Sequence, residues 1–100
     1  MKNAYPVFIQ KHNSDYLIYI PDIDHYTEGS SLRDAIHMAR DLLGTVSLER
    51  NLPNPSSVED ARRIAEEKAD EPDFKFSIGS LMAVDINTDD YKGRMTQELK

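Results

Sequence analysis

The chain contains no cysteine, which removes disulfides, thiolate nucleophiles and cysteine-ligated zinc together and fits a reducing compartment such as the cytoplasm. It has no apolar run near the roughly 20 residues that a membrane helix requires. Nor does it open like a secretory leader: "MKNAYPVFIQKHN" carries an early lysine, but its apolar residues alternate and no small-residue cleavage site follows. Basic charge is in deficit, with 12 Lys and Arg against 18 Asp and Glu and a formal charge of −6. Phosphate neutralisation supplies most of the affinity of nucleic-acid binders, so this balance argues against that class and suits a basic partner. Internal repeats and low-complexity segments are absent as well.

What is present fits one soluble globular domain: 100 residues, 39% hydrophobic and 30% charged, enough for a single modest core. "AYPVFIQK" alternates, placing Tyr5, Val7 and Ile9 on one face of a strand and Phe8 on the other. Pro6 marks that strand as an edge or a strand start. After the turn-forming "HNSD", a second strand "YLIYIP" puts Tyr16, Ile18 and Ile20 on one side and Leu17 and Tyr19 on the other. "DIDHYTEG" supplies a bend and a short third strand around His25 to Glu28, closed by Gly29. Sequential strands usually pair, so these three form an antiparallel meander.

The strongest periodic signal follows. Leu32, Ala35, Ile36, Ala39, Leu42, Leu43 and Val46 make one apolar stripe of an amphipathic helix, with Arg33, His37, Arg40 and Asp41 on the wet face. Ser31 stands at the N-cap position, with Asp34 placed as a capping-box partner. "NLPNPSS" stops the helix. A second helix is predicted from Val58 to about Ala69, capped by Ser56 or Ser57, with Val58, Ala61, Ile64 and Ala65 as a narrower stripe. "FKFSIGSLMAVDI" alternates again: Phe74, Phe76, Ile78, Met82, Val84 and Ile86 share a face, Ser80 is the polar exception, and Gly79 marks a bulge or a close backbone approach. A strand rejoining the sheet after a long crossover is usually parallel to its neighbour. The expected class is α+β, with an antiparallel β-meander, one or two helices and a fourth strand in the order βββ-α-α-β.

The ordered set "YPV", "DYLIYIPDI", "TEG", "SLRDA" and "LPNPS" resembles the N-terminal domain of HicB-like antitoxins, a family with a truncated RNase H-like fold. The matching positions are Tyr5, Pro6, Tyr16, Pro21, Asp22, Thr27, Gly29, Ala35, Ala39, Pro53, Pro55 and Ser56. Residues 4 to 56 match well, residues 74 to 91 loosely, and 57 to 73 are unconstrained. Members commonly follow Pro-Asp with leucine, proline and glycine, whereas this chain reads "PDIDHY". Many also continue into a DNA-binding module. Here residues 1–86 are assigned to the antitoxin-like domain, and 87–100 to a tail resembling the linker that would lead to such a module. Specific DNA binding is therefore not expected from this chain alone.

Two readings compete for the acids of the turn. Nucleases of the RNase H type hold two divalent cations about 4 Å apart with several carboxylates, and Asp15, Asp22, Asp24 and Glu28 supply that number. Their placement is poor for the purpose. Asp15 sits at a hairpin tip, the others crowd one turn, and His25 has no ligand spacing with His12 or His37. The bland reading is a solvated turn in which Asp22 caps local backbone groups. From Ser57 to Asp73, seven acids face three bases, a local balance of −4. That is either a solvated helix face or a docking surface for a basic protein.

Tyr16, Tyr19 and Tyr26 cluster around the second and third strands, where tyrosine serves equally as interface anchor or core residue. Tyr16, Tyr19, Asp22, Asp24, Tyr26 and Glu28 are accordingly the candidate partner-binding residues. No catalytic residue, metal or cofactor is assigned. The resemblance implies a partner of the HicA type, a small basic endoribonuclease that cuts mRNA with a histidine the antitoxin buries. A metal-dependent nuclease and a stand-alone scaffold are the alternatives. If the fourth strand pairs beside the first, the third and fourth strands are the open edges, and the long apolar fourth one is expected to form a homodimer through Ser77, Leu81 and Met82.

Overall fold

The first strand, β1 (Lys2–His12), alternates as its sequence requires, and the residues on its two faces enter two different cores. A two-residue turn at Asn13 and Ser14, with Asn13 in the left-handed region at φ 56°, returns the chain as β2 (Asp15–Ile20). Asparagine tolerates that conformation because its short polar side chain can bond locally. A 3-10 turn at Pro21–Ile23 ends at Asp24, also left-handed at φ 51°, and leads into β3 (His25–Gly29). Two helices follow, α1 (Leu32–Glu49) and α2 (Val58–Lys68), and then β4 (Ser80–Asn87). The computed structural model describes residues 2–68 and 80–87. The expected positions of Phe74, Phe76, Ile78 and Gly79, the interface residue Ser77 and the tail beyond Asn87 lie outside them, as do the side chains of Leu81 and Met82. No helix among the described residues is long and apolar enough to cross a membrane.

The elements assemble in the expected α+β order, into a four-stranded sheet of order β3-β2-β1-β4. β3 and β4 are its edges, as the sequence implied. One expectation fails: β4 is antiparallel to β1, with Lys2 opposite Asn87 and Ile9 opposite Ser80. The parallel rule holds when a crossover brings the chain back to the end of the sheet where it started. Here β3 ends at Gly29, opposite Tyr16, and β4 begins beside Ile9, at that same end. A strand starting where the earlier one finished must run the other way.

Pro6 needs a different account too, because β1 is interior. The two-residue hairpin makes His12 and Asp15 a hydrogen-bonded pair, so Gln10 and Phe8 also turn their amides toward β2. The missing N–H of Pro6 falls on that same side, beyond the last β2 residue, where the chain has already entered the turn at Pro21. Toward β4, where Pro6 stands opposite Ala83, no ladder bond is lost.

Each face of the sheet carries a helix. Tyr5, Val7, Ile9, Ile18, Ile20, Val84 and Ile86 pack under Ala35, Ala39, Leu43 and Val46 of α1. Each fully buried aliphatic chain of this kind stabilises by about 1.5–3 kcal/mol. Phe8 and Tyr19 point the opposite way and meet Ala61 and Ala65 of α2, with Leu17 and Tyr26 at the margin. Two helical positions depart from their stripes: Leu32 is 47% and Val58 55% exposed, because each stands in the first turn and overhangs the surface its helix covers.

The start of α1 is fixed by caps and by one close approach. Ser31 Oγ accepts from the Asp34 N–H at 3.1 Å. The Asp34 carboxylate reaches one residue further back than a capping box would, accepting from the Ser30 N–H at 2.8 Å and its hydroxyl at 3.2 Å. Those two bonds, against an opposing desolvation effect and with a further lowering from His37, hold the Asp34 carboxyl below its usual range. Gly29 lies directly against the helix. A Cβ there would stand 2.4 Å from the Ala35 nitrogen and 2.5 Å from its Cα.

Two outcomes follow. Gly29→Ala should destabilise by about 3 kcal/mol, the upper end of the overpacking range, since backbone cannot yield as a side chain can. Urea unfolding at unchanged m checks this. For Asp34, a depressed carboxyl contributes stability above its unfolded value and loses that contribution as pH falls through the folded one. The thermal midpoints of wild type and Asp34→Asn should therefore differ at neutral pH and converge below the ordinary carboxylate range.

Candidate partner-binding surface

The acids of the turn divide among separate tasks. The Asp22 carboxylate, half-buried, accepts from the Ser56 N–H at 3.0 Å and from the Ser56 hydroxyl. It thus caps backbone, as expected of a turn aspartate, but backbone 34 residues away rather than local. The same "LPNPSS" segment is held again by Tyr5, whose hydroxyl donates to the Pro53 carbonyl at 2.6 Å. Burial pushes the Tyr5 phenol above its usual value, and the Asp22 charge adds to that, against a hydrogen bond with the Asn3 side chain. Ser57, freed from Asp22, caps α2 by accepting from the Asp60 N–H at 3.1 Å.

Asp24 accepts from the Tyr19 hydroxyl at 2.6 Å. Tyr19 is wholly buried, so that bond satisfies a phenol otherwise stranded under α2. The Tyr26 ring packs on Tyr19 at 4.7 Å between centroids, tilted by 42°. His25 is exposed, its Nδ1 2.8 Å from the Asp24 carbonyl oxygen. Among the described residues, no three His, Asp or Glu side chains come together as a metal site.

The six candidate residues are not one patch. Directly opposed residues of an antiparallel pair share a face. The pairs Tyr19–Tyr26 and Leu17–Glu28 therefore put Tyr26 and Glu28 on the α2 side, above the Tyr19–Asp24 bond. Tyr16, opposite Gly29, belongs to the α1 side and packs against that core. Tyr19 supports the surface from beneath. What reaches solvent together is half-buried Tyr26 with exposed Asp24 and Glu28. The charges of α2 are partly consumed within the helix: Arg63 lies 3.5 Å from Asp60 and 3.8 Å from Glu67, and Arg62 stands 5.9 Å above the Phe8 ring. Asp70, Glu71 and Asp73 of the acidic segment lie outside the described residues.

No protein-family model matches the chain, and no curated protein does. Solved structures do match. A toxin–antitoxin complex from Streptococcus pneumoniae superposes with a TM-score of 0.64 at 19% identity, over 91% of this chain and 73% of that one. The antitoxin HicB of Burkholderia pseudomallei superposes with a TM-score of 0.58 at 20% identity, over 85% of this chain and 62% of that one. The chain has the HicB fold. It spans less than two thirds of the Burkholderia HicB chain.

Within this HicB-like fold, Asp22, Gly29 and Ser56 acquire physical roles. Gly29 and Ala35 make a close contact between β3 and α1, and Asp22 and Ser56 a hydrogen-bonded one between the turn and the interhelical loop. A double-mutant cycle of Asp22→Ala and Ser56→Ala should return a coupling of about 1–2 kcal/mol, the value of a charge-assisted bond that is partly solvated. Chemical unfolding of the four proteins measures it.

Proposed function

We propose that the chain is an antitoxin-like, non-catalytic protein that binds and occludes a small basic mRNA-cleaving toxin of the HicA type. The observation that carries the reading is the superposition of nine-tenths of the chain on a protein of a toxin–antitoxin complex, together with the sequence resemblance at the same elements. Charge supports it: a chain of net −6 attracts a basic partner and accelerates their encounter. Tyr26, flanked by Asp24 and Glu28 and backed by Tyr19, offers a rigid aromatic body with acids around it, the composition that anchors protein interfaces. The mechanism is steric and electrostatic cover of the toxin's catalytic histidine.

Co-expression with a small basic protein of the HicA type should restore growth to cells that the basic protein arrests, and the two should co-purify. Combining Tyr26→Ala with Glu28→Lys should weaken the complex by at least about tenfold in calorimetry, equivalent to about 1.4 kcal/mol, while circular dichroism stays unchanged. A pair that neither co-purifies nor suppresses arrest rules the reading out. A complex indifferent to the two substitutions moves the interface elsewhere.

A further inference from the structure

The sheet ends in β3 on one side and β4 on the other, and β3 is the edge whose residues are described throughout. The direction of its backbone groups follows from the first hairpin. The two-residue turn makes His12 and Asp15 a hydrogen-bonded pair, so Asp15, Leu17 and Tyr19 face β1, and Tyr16, Ile18 and Ile20 turn their amides and carbonyls to β3. Opposite these three stand Gly29, Thr27 and His25. The amide and carbonyl of Glu28 are therefore directed out of the sheet. Glu28 is exposed, and its side chain has no ion pair or hydrogen bond among the described residues. Its row across the sheet continues to Leu17 and Gln10, which carry no charge, and Arg62 of α2 is engaged above Phe8, two strands further in.

We propose that the toxin extends the sheet at this edge: an extended basic segment pairs its backbone with Glu28 and sets a lysine or arginine opposite the Glu28 carboxylate. The inference rests on the toxin reading for the partner and adds how that partner is held. An edge strand is a template for another chain, and in strand addition the main-chain bonds supply affinity while alternate side chains supply selectivity. Charge selects the occupant. The carboxylate at the edge and the net −6 of the chain have the same sign, and both attract a basic segment. In a second copy of β3 running antiparallel, the residue opposite Glu28 would be Asp24, Tyr26 or Glu28, and none of them carries the opposite charge. Glu28 and Tyr26 share the α2 side of the sheet, so a strand paired here brings alternate side chains onto the surface that Tyr26 backs.

The test uses the full chain and a HicA-type protein whose catalytic histidine is replaced by alanine. Glu28→Ala removes the carboxylate alone. Glu28→Pro also removes the outward donor, and it spares the ladder with β2, whose bonds at this edge belong to Thr27 and Gly29. In calorimetry the proline variant should bind at least about fivefold more weakly than the alanine variant, the loss of one main-chain hydrogen bond. The alanine variant should bind more weakly than wild type at low salt, with the gap closing as salt is raised. Hydrogen exchange of wild type, which decides the matter if the proline variant loses its circular dichroism, should show the Glu28 amide slowed by at least about a hundredfold in the complex. A complex in which that amide exchanges as before, or in which the folded proline and alanine variants bind equally, overturns the proposal and leaves the toxin reading standing. So does equal binding of wild type and Glu28→Ala at low salt, or the same protection on concentrating the chain alone. Absence of any complex overturns both.

Discussion

The carboxylate of Asp22 holds the chain at the place where it passes from one face of the sheet to the other. α1 covers the Tyr5–Val7–Ile9 face and α2 the Phe8–Tyr19 face, so residues 50–57 must travel around the end of the sheet. Leu52 packs into the first core, Pro53 receives the Tyr5 hydroxyl, and Ser56 is seized by Asp22 immediately before Ser57 caps α2. Without that grip, α2 would depend on a thin seam, since the residues it buries fully are the alanines Ala61 and Ala65. Alanine surrenders little area on burial, so most of the apolar area in that seam comes from Phe8 and Tyr19 of the sheet and not from α2. Polar bonds therefore decide where α2 sits, and the sheet decides the rest.

Much of this was readable in advance because it is local. The period-2 alternation of β1 and β2 assigned their side chains to faces, the 3.6-residue stripe placed α1, and Ser57 and Ser31 sat at cap positions. The failures are all non-local. Nothing in the neighbourhood of Asp22 indicates a partner 34 residues onward. The direction of β4 depends on which end of the sheet the chain occupies after two helices, and a hydrophobic pattern does not encode an end. Leu32 and Val58 fitted their stripes but stand in first turns, where a periodic residue can project past what its helix covers. Pro6 misled for a subtler reason: the rule against proline in interior strands concerns the missing donor, and here that donor would have pointed past the end of β2.

The two aspartates of the turn serve different donors. Asp22 is turned to Ser56 and Asp24 to Tyr19, each carboxylate accepting bonds from groups that would otherwise be under-satisfied. A pair of acids two residues apart can look like a ligand set in sequence while serving two unrelated donors in space. The tyrosines divide in the same way: Tyr5 and Tyr19 spend their hydroxyls inside the molecule, and Tyr26 is half-buried with its ring against Tyr19.

The central place of β1 has a consequence for how the molecule is made. Its partner on one side, β2, follows after a two-residue turn, but on the other side Lys2 waits for Asn87 and Ile9 for Ser80. During synthesis at roughly 5–20 residues per second, β1 spends several seconds outside the ribosome with one flank bare, apart from the exit-tunnel delay at either end. A strand in that state is open to cleavage and to pairing with the wrong chain. The nascent protein is thus vulnerable at its centre until β4 emerges, and any event that stops translation before β4 releases a meander with one edge of β1 uncovered.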